Sequence, residues 1–122
     1  MKKEIRRLGL SFLYALMGLA DAWKNERNMK IHTLGTVLAV AAAALFKLER
    51  WEWLFLFSAI FLVLTMEMIN SSLERVVDLF TTEFHPMARL AKNAAAGAAL
   101  LAAVYALTVA LLLFLPRLSG RL

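Results

Sequence analysis

Glu67-Met68-Ile69-Asn70-Ser71-Ser72-Leu73-Glu74-Arg75-Val76-Val77-Asp78 closes an apolar run that begins near Trp53 (Trp-Leu-Phe-Leu-Phe-Ser-Ala-Ile-Phe-Leu-Val-Leu-Thr-Met). Extended through Met68 and Ile69, that run is long enough to enter a bilayer as a helix. Glu67, Asn70, Ser71, Glu74 and Asp78 then recur at steps of three and four, so they share one helical face. The polar stripe is about 16 Å long at the rise of an α-helix. A carboxylate inside a membrane span costs at least about 2.5 kcal/mol before compensation, and it normally faces a partner, a cavity or a substrate path. The alternative is a helix that has left the lipid at Glu67 and is solvated beyond it. That alternative gives no reason for Asn70 and Ser71 to share the acidic face.

The rest of the composition agrees with a membrane helix. Of 122 residues, 61% are hydrophobic, against about 45–50% in soluble domains, and the mean hydropathy is +0.67. The apolar residues are gathered into long runs, which marks a small integral membrane protein of one domain, residues 1–122. No Gly-rich loop of either the Walker or the dinucleotide type is present. With no cysteine, disulfides, thiolate metal sites and Cys nucleophiles are excluded.

Outward from the stripe, the chain resolves into four segments. In residues 1–24, Ile5, Leu8, Phe12, Leu16, Leu19 and Trp23 recur at helical spacing among basic residues, the pattern of an amphipathic helix lying on headgroups. The same segment, with its basic start and Ala20-Asp21-Ala22, also has the outline of a secretory signal. Ile31 to Phe46 makes a short first span that its flanks, Met29 and Leu48, can lengthen, and 47–52 is a charge-balanced turn; Trp51 and Trp53 suit an interfacial belt. The second span ends in the stripe. Thr81 to Pro86 breaks it, because Pro86 cannot continue a helix and restricts the residue before it. A third helix restarts at Pro86, and Ala94 to Leu115 is a charge-free stretch of full spanning length. Its opening, Ala94-Ala95-Ala96-Gly97-Ala98-Ala99, allows close helix approach, within one chain or between chains.

Lys2, Lys3, Arg6, Arg7, Lys24, Arg27 and Lys30 precede the first span, whereas the 47–52 turn carries only Lys47 and Arg50. The positive-inside bias therefore puts the N-terminus and the 78–92 connection in the cytoplasm. Arg117 and Arg121 would then lie outside, a mild contradiction. Under this topology Asn25-Glu26, the stripe and Lys92-Asn93 all reach the cytoplasmic interface. Carboxylates, a lysine and magnesium are what phosphoryl transfer needs, since charge neutralisation and positioning supply most of its catalysis. Individually, Glu26 and Lys92 also read as ordinary interfacial charges. His85 beside Pro86 reads as a loop histidine and His32 as a cap at the start of a span; the two give no metal spacing.

Three segments carry a resemblance: Asn25-Glu26-Arg27-Asn28-Met29-Lys30-Ile31-His32, Glu67 through Asp78, and His85-Pro86-Met87-Ala88-Arg89-Leu90-Ala91-Lys92-Asn93-Ala94-Ala95-Ala96-Gly97. In this order they resemble the small prokaryotic diacylglycerol kinase family, and the first is similar to its Gram-positive, undecaprenol kinase-like branch. The resemblance implies an all-α integral membrane fold, with an N-terminal amphipathic surface helix, three transmembrane helices, a homotrimer and active sites shared between subunits. The signal reading falls with it. It implies an ATP- and Mg2+-dependent kinase of the cytoplasmic membrane acting on a lipid alcohol, undecaprenol before diacylglycerol, with no nucleic acid partner. By motif position Glu67 is the base, and Glu26 and Glu74 hold magnesium. Tyr14, Glu83, Phe84, His85, Lys92 and Asn93 serve the nucleotide, with Asn70 and Asp78 in support. Arg7 and Trp23 are expected to contact lipid. The family usually has Asp where this chain has Asn93. A non-enzymatic membrane subunit using the stripe as a polar lining is the rival reading.

Overall fold

A computed structural model describes residues 1–120 and contains four helices, α1 (Lys2–Asn25), α2 (Arg27–Leu45), α3 (Arg50–Phe80) and α4 (Pro86–Leu118). Arg121 lies outside the described residues. Three of the helices, α2, α3 and α4, are long and apolar enough to cross a membrane.

The helix ends follow from local chemistry. Glu4 in the first turn and Lys24 in the last complement the dipole of α1. Glu26 alone separates α1 from α2; its extended backbone (φ −102°, ψ 117°) breaks the helix while its N–H still bonds the Ala22 carbonyl. Helix α2 therefore begins before the apolar run does, because Arg27, Asn28 and Lys30 belong to it and their polarity does not interrupt it. Inside α2, the Thr33 and Thr36 hydroxyls donate to the Met29 and His32 carbonyls, so neither is left unpaired in apolar surroundings.

α2 ends in a Schellman turn. Leu48 N–H donates to the Ala43 carbonyl and Lys47 N–H to that of Ala44, with Lys47 at φ 53° and Leu48 buried beneath. A lysine carries here the left-handed conformation that glycine adopts without steric penalty. α3 opens at once on a capping box. Glu49 accepts from the backbone of Glu52, and Glu49 N–H donates to Glu52 Oε2 at 2.8 Å. The connection is thus shorter than the whole 47–52 stretch, and Trp51, Glu52 and Trp53 lie in the first turn of α3. α4 opens on His85, whose Nδ1 accepts from Met87 N–H, with Pro86 at the first helical position.

α3 and α4 form the principal pair, α2 packs on α3, and α1 reaches both α2 and α3. Glu52, Leu56, Ala59, Val63, Glu67 and Ser71 are the buried residues of α3, at steps of three and four, so two carboxylates share the inward face. α4 answers with Ala95, Ala99, Ala102, Val109 and Leu113; the small side chains let the backbones approach where no hydrophobic drive operates between helices. The apolar cluster is Ala43, Leu48, Leu56, Ala59, Val109 and Leu113. At 31 residues, α3 is about 46 Å long, against about 30 Å of hydrocarbon. Counted from Arg50, Glu67 lies about 26 Å along the helix, while Glu74 and Asp78 lie about 36 and 42 Å along.

Candidate active site

Glu67 is buried, 8% exposed, and His32 Nε2 on α2 lies 3.1 Å from its Oε1. The solvated reading of the stripe therefore fails at its first member. An ionised carboxylate only accepts, so the imidazole donates through Nε2. One turn on, Ser71 is buried. Asn70 Oδ1 is buried too, and among the described residues it finds no hydrogen-bond donor. A carbonyl oxygen held out of solvent without a donor calls for a counterpart, which water, an ion or a ligand group can supply.

Further along the same helix the stripe meets the other elements. Lys92 Nζ on α4 is 2.6 Å from Asp78 Oδ1, which fixes the ammonium at the end of the bundle where α3 stops. Arg75 makes a second junction, with Nη1 2.8 Å from Asp21 Oδ2 and Nη2 3.2 Å from Glu26 Oε1. The Asp21 carboxyl is held below its ordinary value of 3.8, mainly by the hydrogen bond from Arg75 and against the cost of desolvation. Asp21 and Ala22, which the signal reading placed at a cleavage point, lie inside α1 and line a recess against Ser71, Ser72 and Arg75 of α3.

Glu83, Phe84, His85, Lys92 and Asn93 line one cleft of about 180 Å³ between the end of α3 and the start of α4. The loop is ordered by Thr81, whose Oγ1 accepts from Glu83 N–H, and Arg89 lies over the Phe84 ring at 5.9 Å. Tyr14, on α1, is exposed and does not line this cleft. Arg7 and Trp23 are also exposed on α1, and Lys30 Nζ sits 6.0 Å over the Trp23 ring.

Magnesium can be tested against the donors in place. Among the described residues Glu74 makes no ion pair, and it shares a face with the orphaned Asn70 oxygen one turn earlier. Glu26 has one carboxylate oxygen on Arg75. No group of three or more His, Cys, Asp or Glu among the described residues converges as a metal cage. Magnesium ordinarily takes one or two carboxylates with phosphate oxygens and water rather than a full protein cage, and the oxygen donors of Glu74 and Asn70 match that chemistry.

Sequence reasoning missed His32 and Arg75. A histidine within an apolar span normally has a polar partner there, and Arg75 stands one turn after Ser71 on the stripe's own flank; both signals were available.

The comparisons with known proteins narrow what this arrangement belongs to. A sequence profile described as "Prokaryotic diacylglycerol kinase" matches residues 13–114. The chain is 35% identical over 117 residues to an undecaprenol kinase of Bacillus subtilis (strain 168), covering 96% of this chain and 95% of that one. It is 42% identical over 108 residues to a diacylglycerol kinase of Synechocystis, covering 88% of this chain and 62% of the relative. With a diacylglycerol kinase of Escherichia coli (strain K12) it shares 32% identity over 93 residues, 76% of each. What these define is an enzyme, a lipid kinase of the phosphotransferase class, carried on membrane-spanning helices. Within that class, the chain belongs to the prokaryotic diacylglycerol kinase family.

Proposed function

We propose that this protein transfers the γ-phosphoryl group of ATP to the hydroxyl of a membrane lipid alcohol, undecaprenol in preference to diacylglycerol, at the cytoplasmic face of the cytoplasmic membrane. The observation that carries the reading is the burial of Glu67 on the inward face of α3, with Lys92 bonded to the same helix three turns further on. A base at the edge of the hydrocarbon and a phosphate-binding ammonium beyond it are what a lipid hydroxyl and a soluble nucleotide need in order to meet.

In this reading Glu67 takes the proton from the lipid hydroxyl as the oxygen attacks phosphorus. Lys92 and Asn93 bind the ATP phosphates, Glu83, Phe84 and His85 line the nucleotide, and Tyr14 reaches the nucleotide of a neighbouring subunit. Asn70 and Asp78 hold the neighbouring groups in place, Asp78 through its bond to Lys92. Glu26 and Glu74 hold magnesium, which when bound neutralises phosphate charge. The α1 helix lies on the membrane surface, with Arg7 and Trp23 against lipid. The basic residues before the first span support a cytoplasmic N-terminus. That Tyr14 stands apart from the nucleotide cleft supports a homotrimer in which neighbouring subunits complete each site.

Undecaprenol is favoured because the Bacillus subtilis relative, matched over 95% of its length, is named for it. Diacylglycerol is the second reading, favoured by the Synechocystis relative at 42% identity. ADP release by the purified protein, measured with each alcohol in turn, decides between them. A rate at least tenfold higher with undecaprenol is expected; the reverse ranking assigns diacylglycerol, and release independent of any alcohol removes the proposal.

A further inference from the structure

His32 stands on α2 two turns after Glu26, and its contact with Glu67 is the bond that joins α2 to the acidic face of α3. Both side chains are withdrawn from solvent, 27% and 10% exposed. No other side chain among the described residues hydrogen-bonds the Glu67 carboxylate. His32 also forms part of the wall of a cavity of about 380 Å³ between α2, α3 and α4, with Gly35, Ala39, Ala59 and Ala106 among the lining residues. The histidine thus stands between an apolar space, which it lines, and the first carboxylate of the stripe, which it bonds.

We propose that His32 is a positioning residue for Glu67, holding Oε1 so that Oε2 is presented to the acceptor hydroxyl. The inference rests on the reading of Glu67 as the base. A glutamate turns about three side-chain bonds, and a second attachment point removes that freedom without blocking the other oxygen. The neutral imidazole carries its proton on Nε2 and donates it to Oε1, in the tautomer that this bond selects. In the reaction the lipid O–H bond breaks and its proton passes to Oε2. The lipid oxygen forms a bond to the γ-phosphorus, and the bond from that phosphorus to the β–γ bridging oxygen breaks, so that ADP leaves with the electron pair. His32 neither gains nor loses a proton, and the same N–H then donates to the carbonyl oxygen of the neutral acid.

The gain from His32 is geometric, in the fraction of time the base is correctly aimed. It appears in kcat and leaves nucleotide affinity alone.

The test uses the full chain in detergent–lipid micelles, with kcat, KM for ATP and the thermal transition measured for His32→Leu, His32→Gln, His32→Asn and Glu67→Gln. His32→Leu is expected to lower kcat by about tenfold to a hundredfold, the range of a hydrogen bond to a charged group, with KM for ATP unchanged. His32→Gln, whose amide nitrogen falls near the Nε2 position, is expected to recover most of the loss, whereas His32→Asn, one methylene shorter, is not. Wild-type kcat in His32→Leu overturns the inference, as do equal rates in the Gln and Asn variants. The Gln–Asn contrast also serves if the Leu variant fails to assemble. Full activity in Glu67→Gln would instead remove the base assignment itself. An inactive Glu67→Gln beside a fully active His32→Leu would remove only the role of His32.

Discussion

Arg75 Nη1 on α3 lies 2.8 Å from Asp21 Oδ2 on α1. Through this bond the helix that carries the acidic stripe holds the N-terminal helix, and the other nitrogen of the same guanidinium reaches Glu26 at the break between α1 and α2. Asp21 and Arg75 are both about half exposed, so the pair adds little to global stability. Its effect is on where α1 sits.

The bond makes a pH prediction. The Asp21 carboxyl is lowered from its ordinary 3.8, first by the Arg75 hydrogen bond. A depressed carboxylate stabilises the folded state above its unfolded value, and that contribution is lost as pH falls through the folded one. Asp21→Asn should therefore melt slightly below wild type at neutral pH. The two melting curves should converge as the pH is taken below 3.8. A constant gap down to pH ~2 would mean that the ionised form is not what ties α1 to α3.

At the other end of the bundle, Arg117 Nη2 lies 2.7 Å from Glu52 Oε2, with the side chains 13% and 6% exposed. The same oxygen also accepts Glu49 N–H, and Arg117 donates a second bond to the Leu113 carbonyl. Removing one partner strands a buried charge, at a cost of about 3–5 kcal/mol. Glu52→Leu and Arg117→Leu should each show that loss in unfolding measurements. The double variant should be more stable than either single one, because no unpaired charge remains.

Asn93 lines the cleft beside Lys92, at the position where the sequence resemblance leads one to expect Asp. Asn keeps the shape and one acceptor oxygen but loses the charge, and charge-assisted bonds are about twice as strong as neutral ones. Asn93→Asp should raise kcat/KM for ATP by about tenfold with little change in melting temperature. Equal or lower efficiency would show a site adapted to the amide, in which an added carboxylate repels the phosphates.

If Glu74 holds magnesium, Glu74→Gln should require a higher magnesium concentration for half-maximal rate, by at least about tenfold, and saturating metal should restore part of the activity. An unchanged magnesium requirement would remove Glu74 from the metal site.

Much of this arrangement is legible along the chain because it is periodic. Glu67, Asn70, Ser71, Glu74 and Asp78 announce a shared face by their spacing alone, and Pro86 marks the start of α4 by its missing N–H. Contacts between helices are a different matter. His32 and Glu67 are 35 residues apart and Glu52 and Arg117 are 65 apart; whether such groups meet depends on the rotation of each helix about its axis and on the vertical register between them. Neither quantity is written in local spacing. Helix and span also differ in extent: Arg27, Asn28 and Lys30 precede the apolar run, yet they lie in the first turn of α2, because helix formation asks only for backbone geometry while spanning asks for apolarity.

If Glu67 is the base for phosphoryl transfer to a lipid alcohol, the transfer depends on its carboxylate. The most direct test is the rate of γ-phosphoryl transfer from ATP to undecaprenol by purified Glu67→Gln, beside wild type under saturating magnesium. The variant is expected to fold and assemble normally, since a buried amide costs less than a buried carboxylate, with transfer reduced by at least about a hundredfold. Transfer near the wild-type rate from a folded Glu67→Gln would contradict that role.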